Sequence, residues 1–307
     1  MTSTPEHSRV VDDFIDTEHL LAAALAEDLG DRGDVTTALT VGGRGPQAGG
    51  RIVAKAEGRL SGVAVACRVF AHVDDSVQLT VRRHDGEAVQ PGDEVLAIRG
   101  PAASLLEGER TALNFLCHLS GVASLTARYV AAVAGSKARI MDTRKTTPGM
   151  RLLEKAAVRH GGGNNHRIGL FDEVLLKENH FAMAGGDYRG LVEKVRAHAP
   201  HGMRIIAEAR DLTEARAVAD GGADVLLLDN FSIDELVAAV GALASHPRRA
   251  AFKTEASGGV NLQTVAGIAR TGVDRISVGA LTHSAPVLDL SMLLDTQPAV
   301  AATVPRG

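Results

Sequence analysis

The second half of the chain alternates between short apolar runs and helix-like segments, and this alternation restricts the possible folds more than any other feature. The runs are rich in Ile, Val and Leu, and they cover residues 138–142, 173–177, 204–208, 224–229, 251–255 and 274–279. Continuously apolar strands separated by helices are typical of a parallel sheet covered by helices, as in a (β/α) barrel or a doubly wound sheet. Because six candidates are fewer than the eight strands of a full barrel, we favour a barrel that is incomplete or has one or two weakly marked strands.

Helix N-terminal signals follow several of these runs. Thr147 and Pro148 open "PGMRLLEKAAVRH", Ser232 precedes "IDELVAAVGAL", and Asn261 precedes "LQTVAGIAR". Ser, Thr and Asn are favoured N-cap residues, and Pro is favoured in the first turn. After the first of these helices, residues 161–163 are three glycines, which predict a helix end and a backbone path close to a ligand.

Polar residues stand where the apolar runs end. In a barrel the carboxyl ends of the strands converge on one rim, where active sites form. One charged residue at such a position is equally well explained as a helix cap or a solvated side chain, but five in succession favour a shared site. The residues concerned are Asp142, Arg144, Lys145, Lys177, Glu208, Asp229, Ser257 and Gly279.

The cations of this half are gathered in one segment. Residues 142–167 hold six Lys or Arg, two His and two acids, in a chain whose formal net charge is -4. We expect Arg144, Lys145, His166, Arg167 and Lys177 to project toward the same rim. Like charges about 4 Å apart repel by about 4 kcal/mol at an effective dielectric constant of about 20. Because an anion would relieve this repulsion, the cluster predicts a polyanionic ligand.

A phosphate-bearing substrate is the natural candidate for that ligand, because glycine-rich turns follow the last two runs. "EASGGVN" contains Gly258 and Gly259, and "ISVGALTHS" contains Gly279. Backbone N–H groups in such turns, with a helix opening near Asn261, suit a phosphate. Tight turns without a ligand are the alternative explanation for these glycines.

The remaining cations of residues 142–167 lie on the predicted helix. Arg151, Lys155 and Arg159 follow one another at four-residue spacing and therefore share a face. Such a row is usually solvated, so we predict that these three side chains face solvent and take no part in the site.

Composition excludes other classes of function. A pI of about 6.3, with 3% aromatic residues and no Trp, argues against a nucleic-acid-binding surface. No apolar run approaches the roughly 18 residues of a membrane span, so we expect no membrane association. The two cysteines, Cys67 and Cys117, and a start without a signal pattern predict a reduced, cytoplasmic setting.

Nine sequence blocks in both halves of the chain form one recognisable pattern. They are "EDLGDRGDVTT", "AKAEGRLSGVAVACRVF", "LLEGERTALNFLCHLSGVA", "TRKTTPGMR", "EKAAVRHGGGNNHR", "LLKENH", "LLLDNF", "SGGV" and "ISVGALTHS". With these blocks the chain resembles the quinolinate phosphoribosyltransferase family, the nicotinate-nucleotide pyrophosphorylases (carboxylating) of NAD synthesis. The resemblance covers roughly residues 20–293 and departs from the pattern at two positions. Ile206 stands where many relatives have a second acid, which puts a detailed metal-coordination scheme in doubt, and Cys117 stands where many have Gln.

The resemblance implies an α/β fold in two domains. Residues 19–134 would form an α/β sandwich, and residues 135–293 an incomplete β/α barrel of about seven strands. Residues 1–18 and 294–307 would be flexible ends. It also implies a homodimer with an active site shared across the interface, with a higher oligomer left open.

The implied reaction joins quinolinate to 5-phosphoribosyl 1-diphosphate with Mg²⁺, giving nicotinate mononucleotide, diphosphate and CO₂. Carried over to this chain, Lys145, Glu208 and Asp229 would be catalytic, and the two carboxylates would also hold the metal, directly or through water. Quinolinate and the diphosphate would be held by cations, one of them from the partner subunit, and the 5-phosphate by turns. The substrate-binding residues would be Arg110 of the partner subunit, Arg144, Lys145, His166, Arg167, Lys177, Glu208, Asp229, Ser257, Gly258 and Gly279.

Three rival functions fit parts of the sequence. A phosphoribosyltransferase that uses nicotinate itself would need the phosphate site and cations but would release no CO₂. A paralogue associated with molybdenum transport shares the ancestry, although the full set of cations here argues against it. A non-catalytic barrel that binds a phosphorylated metabolite would keep the glycine turns but would have no use for Lys145, Glu208 and Asp229 together.

Overall fold

The computed structural model describes residues 17–295, which form alternating helices and strands. The strands are β1 (Gln47–Ala54), β2 (Gly58–Arg59), β3 (Gln78–Val81), β4 (Ala88–Val89), β5 (Glu94–Pro101), β6 (Arg139–Met141), β7 (Val174–Leu176), β8 (Ile205–Ala209), β9 (Val225–Asp229), β10 (Lys253–Ser257), β11 (Arg275–Ser277) and β12 (Leu290–Asp295).

The helices range from a single turn to more than eight turns. None of those between residues 17 and 295 combines the length and apolar character that crossing a bilayer requires. They are α1 (Thr17–Leu29), α2 (Val35–Thr40), α3 (Val63–Val73), α4 (Ala102–Ala132), α5 (Arg151–His160), α6 (Glu178–Met183), α7 (Tyr188–His198), α8 (Leu212–Gly221), α9 (Ile233–Ala244), α10 (Val265–Arg270) and α11 (Ala280–His283).

The chain divides into two compact units. The first contains the residues up to Gly121 and those from Val287 onward, and the second contains Val122–Pro286. These limits differ from the predicted 134/135 and 293/294 boundaries. The observed division at 121/122 lies inside the uninterrupted helix α4, where the sequence gives no linker signal. At the other boundary, β12 belongs to the first unit because it pairs with β1.

The predicted flexible ends are wrong at their inner margins. Thr17 and Glu18 belong to α1, and Leu294 and Asp295 belong to β12, where pairing with β1 orders them. The rest of the two predicted segments, 1–16 and 296–307, lies outside the described residues.

The first unit contains a four-stranded antiparallel sheet in the order β12-β1-β5-β3, with β2 and β4 paired separately. Ile52 of β1 and Leu96 of β5 are inaccessible to solvent, as is Phe70 of α3. α4 approaches α3 closely, because a Cβ on Gly108 would lie 2.6 Å from the ring of Phe70. A glycine at this position is therefore a packing requirement.

The second unit contains a parallel six-stranded sheet in the order β6-β11-β10-β9-β8-β7. All six strands predicted from the apolar runs are confirmed. Ile206, Val225 and Leu227 form a buried cluster with Leu175 against it, as expected for strands covered on both faces. Every pairing within this sheet is parallel, so the carboxyl ends of the six strands share one edge.

The predicted helix starts meet different outcomes. Ser232 caps α9 in a reciprocal capping box, in which its Oγ accepts from the Glu235 N–H and its own N–H donates to the Glu235 carboxylate. Asn261 begins the turn that precedes α10, and its Oδ1 accepts a hydrogen bond from the Thr264 N–H at 3.0 Å. The helix itself begins at Val265. The start at Pro148 is wrong, because Gly149 has a φ of 79° and α5 begins only at Arg151.

Candidate active site

A cavity of about 700 Å³ opens in the second unit, at the carboxyl ends of its strands. Ten of the eleven predicted site residues line it. Arg110 is the exception, and it lies exposed on α4 in the first unit. The ten are Arg144, Lys145, His166, Arg167, Lys177, Glu208, Asp229, Ser257, Gly258 and Gly279.

The cavity also contains residues that the sequence reasoning did not assign. Most of them flank a predicted residue in the same loop, so adjacency was the available signal. Leu175, Leu227 and Ser277 instead belong to the strands β7, β9 and β11 themselves. The full additional set is Thr143, Leu175, Leu227, Asn230, Gly259, Val260, Ser277, Ala280 and His283.

One side of the cavity is cationic and incompletely paired. Nε of Arg144 is buried and has no hydrogen-bond partner within residues 17–295. Arg167 is only 8% exposed. Burial, followed by the nearby Arg144 guanidinium, lowers the pKa of Arg167. Two guanidinium groups held close together in a protected place favour an anionic ligand between or beside them.

A buried ion pair supports this cationic side. Lys155 is 1% exposed and its Nζ lies 2.7 Å from Oδ1 of Asp142, which is fully buried. The prediction that Lys155 faces solvent is therefore wrong. Helical spacing could not reveal its burial, because its partner Asp142 lies 13 residues upstream, directly after β6. Burial raises the pKa of Asp142, against the opposing effect of Lys155. The second carboxylate oxygen accepts from Nδ2 of Asn165 at 2.7 Å.

Two carboxylates line the cavity on neighbouring strands, Glu208 on β8 and Asp229 on β9. Asp229 accepts from the Ser257 hydroxyl on Oδ1 and from Asn230 Nδ2 on Oδ2, the latter at 2.8 Å. Glu208 Oε2 accepts from the Glu178 N–H at 3.3 Å. Burial raises the pKa of Glu208, while Lys177 opposes this shift.

The glycines of the two turns are required sterically. Gly258 has a φ of 91°, and a Cβ there would lie 2.0 Å from Oδ1 of Asn230, which itself has a φ of 59°. Gly279 has an ordinary helical φ of -67°, but a Cβ on it would lie 3.1 Å from both Lys145 Cδ and His283 Nε2. Glycine at 279 therefore leaves room for the Lys145 side chain.

The three glycines after α5 have a different role from the one predicted. Gly161 ends the helix as predicted, with its N–H donating to the Ala157 carbonyl. A Cβ on Gly161 would lie 2.4 Å from the Ala123 carbonyl oxygen, and one on Gly163 would lie 2.7 Å from Thr126. None of the three lines the cavity. Glycine is needed at 161 and 163 because the backbone there packs closely against the last turns of α4. The predicted approach of this segment to a ligand is therefore not the reason for these glycines.

The carboxylates offer limited metal-binding capacity. Across residues 17–295, no group of three or more His, Cys, Asp or Glu is placed to hold a metal ion. Ile206, at the position of the additional acid, is fully buried in the apolar cluster and supplies no ligand. Glu208 and Asp229 remain as a pair, which fits an ion such as Mg²⁺ that keeps most of its ligands as water and substrate oxygens.

Cationic side chains, a carboxylate pair and glycine turns at the carboxyl edge of a parallel sheet are features of an α/β protein whose site suits phosphorylated anions. The chain belongs to the quinolinate phosphoribosyl transferase family. Residues 122–293 match the C-terminal domain of that family and residues 34–120 match its N-terminal domain.

Individual relatives agree with this assignment over most of the chain. The nicotinate-nucleotide pyrophosphorylase (carboxylating) of Mycobacterium leprae is 42% identical over 271 residues, which cover 88% of this chain and 94% of that protein. The probable nicotinate-nucleotide pyrophosphorylase (carboxylating) of Bacillus subtilis is 40% identical over 276 residues, covering 89% and 91%. The solved structure of the nicotinate-nucleotide pyrophosphorylase from Francisella tularensis has a TM-score of 0.84 at 34% identity, covering 95% of this chain and all of that one.

Proposed function

We propose that this protein transfers the phosphoribosyl group of 5-phosphoribosyl 1-diphosphate to quinolinate with loss of CO₂, in the biosynthesis of NAD. The products are nicotinate mononucleotide, diphosphate and CO₂. The observation that carries this proposal is the cavity itself, whose lining contains six cationic or imidazole side chains, His283 among them, and two carboxylates. Both substrates are polyanions, and the named relatives act as carboxylating pyrophosphorylases.

The cationic side of the cavity would receive quinolinate. Arg144, His166 and Arg167 form the region for its two carboxylates, and Lys145 and Lys177 reach both the dicarboxylate and the diphosphate. The unpartnered Nε of Arg144 supports this arrangement, because a carboxylate would complete its hydrogen bonding. Planar guanidinium groups suit carboxylates, whereas a flexible ammonium suits diphosphate.

The opposite side would receive the sugar. Ser257, Gly258 and Gly279 hold the 5-phosphate, supported by the close backbone approach that both glycines permit. Glu208 and Asp229 face the ribose. Attack of the pyridine nitrogen on ribose C1 expels diphosphate, so positive charge develops on the ring and negative charge on the leaving group. The carboxylates stabilise the first charge and the lysines the second.

Loss of CO₂ follows from the same bond formation. The pyridine nitrogen, once alkylated, carries a formal positive charge, and this charge stabilises the carbanion that remains on the adjacent ring carbon when its carboxylate departs as CO₂. The ring carbon then takes up a proton. We propose Lys145 as the donor, a role supported by its position over Gly279 at the cavity wall.

Glu208 and Asp229 would hold Mg²⁺, directly or through water. When bound, the ion would neutralise charge on the diphosphate leaving group. The two carboxylates are on adjacent strands and both line the cavity, which supports their assignment as the metal-facing pair.

The finer features of the fold are part of the proposal. We interpret the parallel sheet as an incomplete barrel of about seven strands, because Leu175 of the edge strand β7 and Thr143, which closely follows the edge strand β6, line the same cavity. The parallel bridge between Met141 and Asn164 supports a short seventh strand beside β6. In the first unit, helices and the antiparallel sheet would form the α/β sandwich.

The proposed assembly is a homodimer in which Arg110 enters the partner's site. Its exposure on α4 supports this role, since an exposed guanidinium can reach a neighbouring subunit. Both cysteines of the chain are free thiols, which supports a cytoplasmic setting.

A single assay tests the function. Purified protein is incubated with quinolinate, 5-phosphoribosyl 1-diphosphate and Mg²⁺, and quinolinate loss, diphosphate and CO₂ are measured together. Equal amounts of all three are expected. Turnover of nicotinate without CO₂, or binding without turnover, would reject the proposal in favour of one of the rival functions.

A further inference from the structure

The imidazole of His166 is held by protein groups at both of its nitrogens. Nδ1 accepts a hydrogen bond from the Arg167 backbone N–H at 3.0 Å. Nε2 lies 3.4 Å from Oε1 of Glu255. A nitrogen that accepts carries no proton, so the contacts assign the ring proton to Nε2, which faces the carboxylate. The orientation of this ring therefore depends on Glu255.

Glu255 lies in the middle of β10 and is completely buried, outside the residues that line the cavity. Its Oε1 also accepts from the Ser277 hydroxyl. Its Oε2 accepts no hydrogen bond from residues 17–295, and the guanidinium of Arg275 lies 3.9 Å away. Burial of a carboxylate with incomplete hydrogen bonding is unfavourable, so the packing of the core gives no reason for a charge here.

The surrounding sheet would accommodate an apolar side chain at this position. Glu255 is in register with Leu227 on β9 and with Arg275 on β11. Leu227 belongs to the buried apolar cluster with Ile206 and Val225. An aliphatic residue at 255 would extend that cluster. The carboxylate therefore requires an explanation other than stability.

We propose that Glu255 is a positioning residue of the active site. Glu255 orients the His166 ring, and the ring in turn holds the backbone N–H of Arg167. This contact positions the Arg167 guanidinium in the cavity wall. Glu255 itself touches no ligand. This role deepens the proposed function and rests on it, since Arg167 would bind a quinolinate carboxylate. The rival explanation is that Glu255 only pairs with Arg275 to hold β10 against β11.

The first test examines the ring directly and needs no turnover. Two-bond ¹H–¹⁵N NMR spectra are recorded on wild-type protein and on His166→Gln, both labelled with ¹⁵N-histidine. The signals that are missing from the His166→Gln spectrum are those of His166. The expected wild-type signature is a proton on Nε2 and a bare Nδ1. In Glu255→Gln that signature should change or become a mixture. A proton on Nδ1 in the wild type, or an unchanged signature in the variant, would overturn the proposal.

The second test separates positioning from stability, with Arg275→Met as the matched control. Arg275 contacts the other oxygen of Glu255 and does not line the cavity. Glu255→Gln should raise KM for quinolinate about tenfold, the effect of one misplaced charge-assisted contact, and leave KM for 5-phosphoribosyl 1-diphosphate nearly unchanged. Arg275→Met should change neither. Equal kinetic effects of the two variants would support the rival explanation and reject ours.

The two tests also distinguish this proposal from the proposed function. If the wild-type protein does not convert quinolinate, the proposed function fails, and the NMR result still decides whether Glu255 orients His166. If Glu255→Gln does not fold, the wild-type spectrum still tests the proposal, because a proton on Nδ1 of His166 would overturn it. Positioning is supported only when the wild-type tautomer is the expected one.

Discussion

Lys155 Nζ and Asp142 Oδ1 lie 2.7 Å apart in a fully buried ion pair, and each also binds the backbone of His166. Nζ donates to the His166 carbonyl at 2.9 Å, and Oδ1 accepts from the His166 N–H at 2.7 Å. One pair of charges therefore holds both backbone polar groups of a residue in the cavity wall. Arg144 and Arg167 lie within two residues of these anchors, so the pair fixes the cationic side of the site.

Removal of one partner from this pair should destabilise the protein strongly. Lys155→Met leaves the Asp142 carboxylate buried and uncompensated, which should lower the free energy of unfolding by about 3 to 5 kcal/mol. Urea unfolding followed by circular dichroism measures the loss. Arg159→Ala is the control, because Arg159 is exposed four residues further along the same helix and should cost less than about 1 kcal/mol.

The double variant Asp142→Asn with Lys155→Met gives a second check on the same pair. Because it removes both charges, it should be more stable than Lys155→Met alone. A double variant that loses the sum of the two single effects would show that the charges act independently.

Lys145 should matter for turnover and little for folding. Its side chain is exposed in the free protein, so Lys145→Ala should leave the melting temperature nearly unchanged. Loss of a charge-assisted contact should lower kcat/KM about tenfold or more. Arg167→Ala should lower it by a similar factor. Lys194→Ala, an exposed lysine on α7 that does not line the cavity, is the control, and normal rates in Lys145→Ala and Arg167→Ala would contradict the assignment.

Anionic ligands should stabilise the free protein because they relieve repulsion between cavity cations. Quinolinate or diphosphate at about a hundred times its Kd should add about 2.7 kcal/mol to the free energy of unfolding. The melting temperature should rise accordingly in a thermal-shift experiment. Neutral pyridine-3-carboxamide, which has the ring without the charges, should have a much smaller effect. Equal stabilisation by the neutral ring would mean that shape governs the cavity.

Gly279→Ala should impair turnover without straining the backbone. The φ of -67° suits alanine, but the new methyl group would meet Lys145 and His283 at 3.1 Å. Displacement of Lys145 should lower kcat about tenfold, as a small misplacement of a catalytic group does. Gly241→Ala in α9 is the control, because its Cβ meets nothing within 4 Å. That variant should keep full activity and gain about 0.5 to 1 kcal/mol of stability.

Mixed dimers test whether Arg110 serves the neighbouring subunit. Suppose that Arg110→Ala and Lys145→Ala are each nearly inactive and are co-expressed with different tags. If the site is shared, about half of the dimers are mixed and each has one intact site, so about a quarter of wild-type activity should return. If Arg110 serves its own chain, no site is complete. Activity that stays at the level of the single variants, with mixed dimers isolated, would exclude the shared site.

The sequence was sufficient where the relevant signal is local. Each apolar run is contiguous with the residue that ends it, so the strands and the cavity residues at their ends, such as Lys177, Glu208 and Asp229, could be placed on one edge without knowledge of the pairing. The Ser232 cap was equally predictable, because its capping partner Glu235 is three residues away.

The failures concern partners that are remote in sequence. Helical spacing shows that Lys155 shares a face with Arg151 and Arg159, but only the fold places that residue against Asp142. The antiparallel pairing of Gly49 with Asp295 joins positions near opposite ends of the chain, and nothing in either segment specifies the other. The division between the two units was misplaced for the same reason.

The pairing of β12 with β1 has a consequence for synthesis of the protein on the ribosome. β1, β3 and β5 are translated before the second unit, but β12, the strand that completes their sheet, is translated only after it. Until then β1 presents an open edge, which is the kind of surface on which nascent chains pair wrongly. Residues 122–286 are all available before that point. The second unit can therefore mature first, while the sheet of the first unit stays incomplete until β12 has been made.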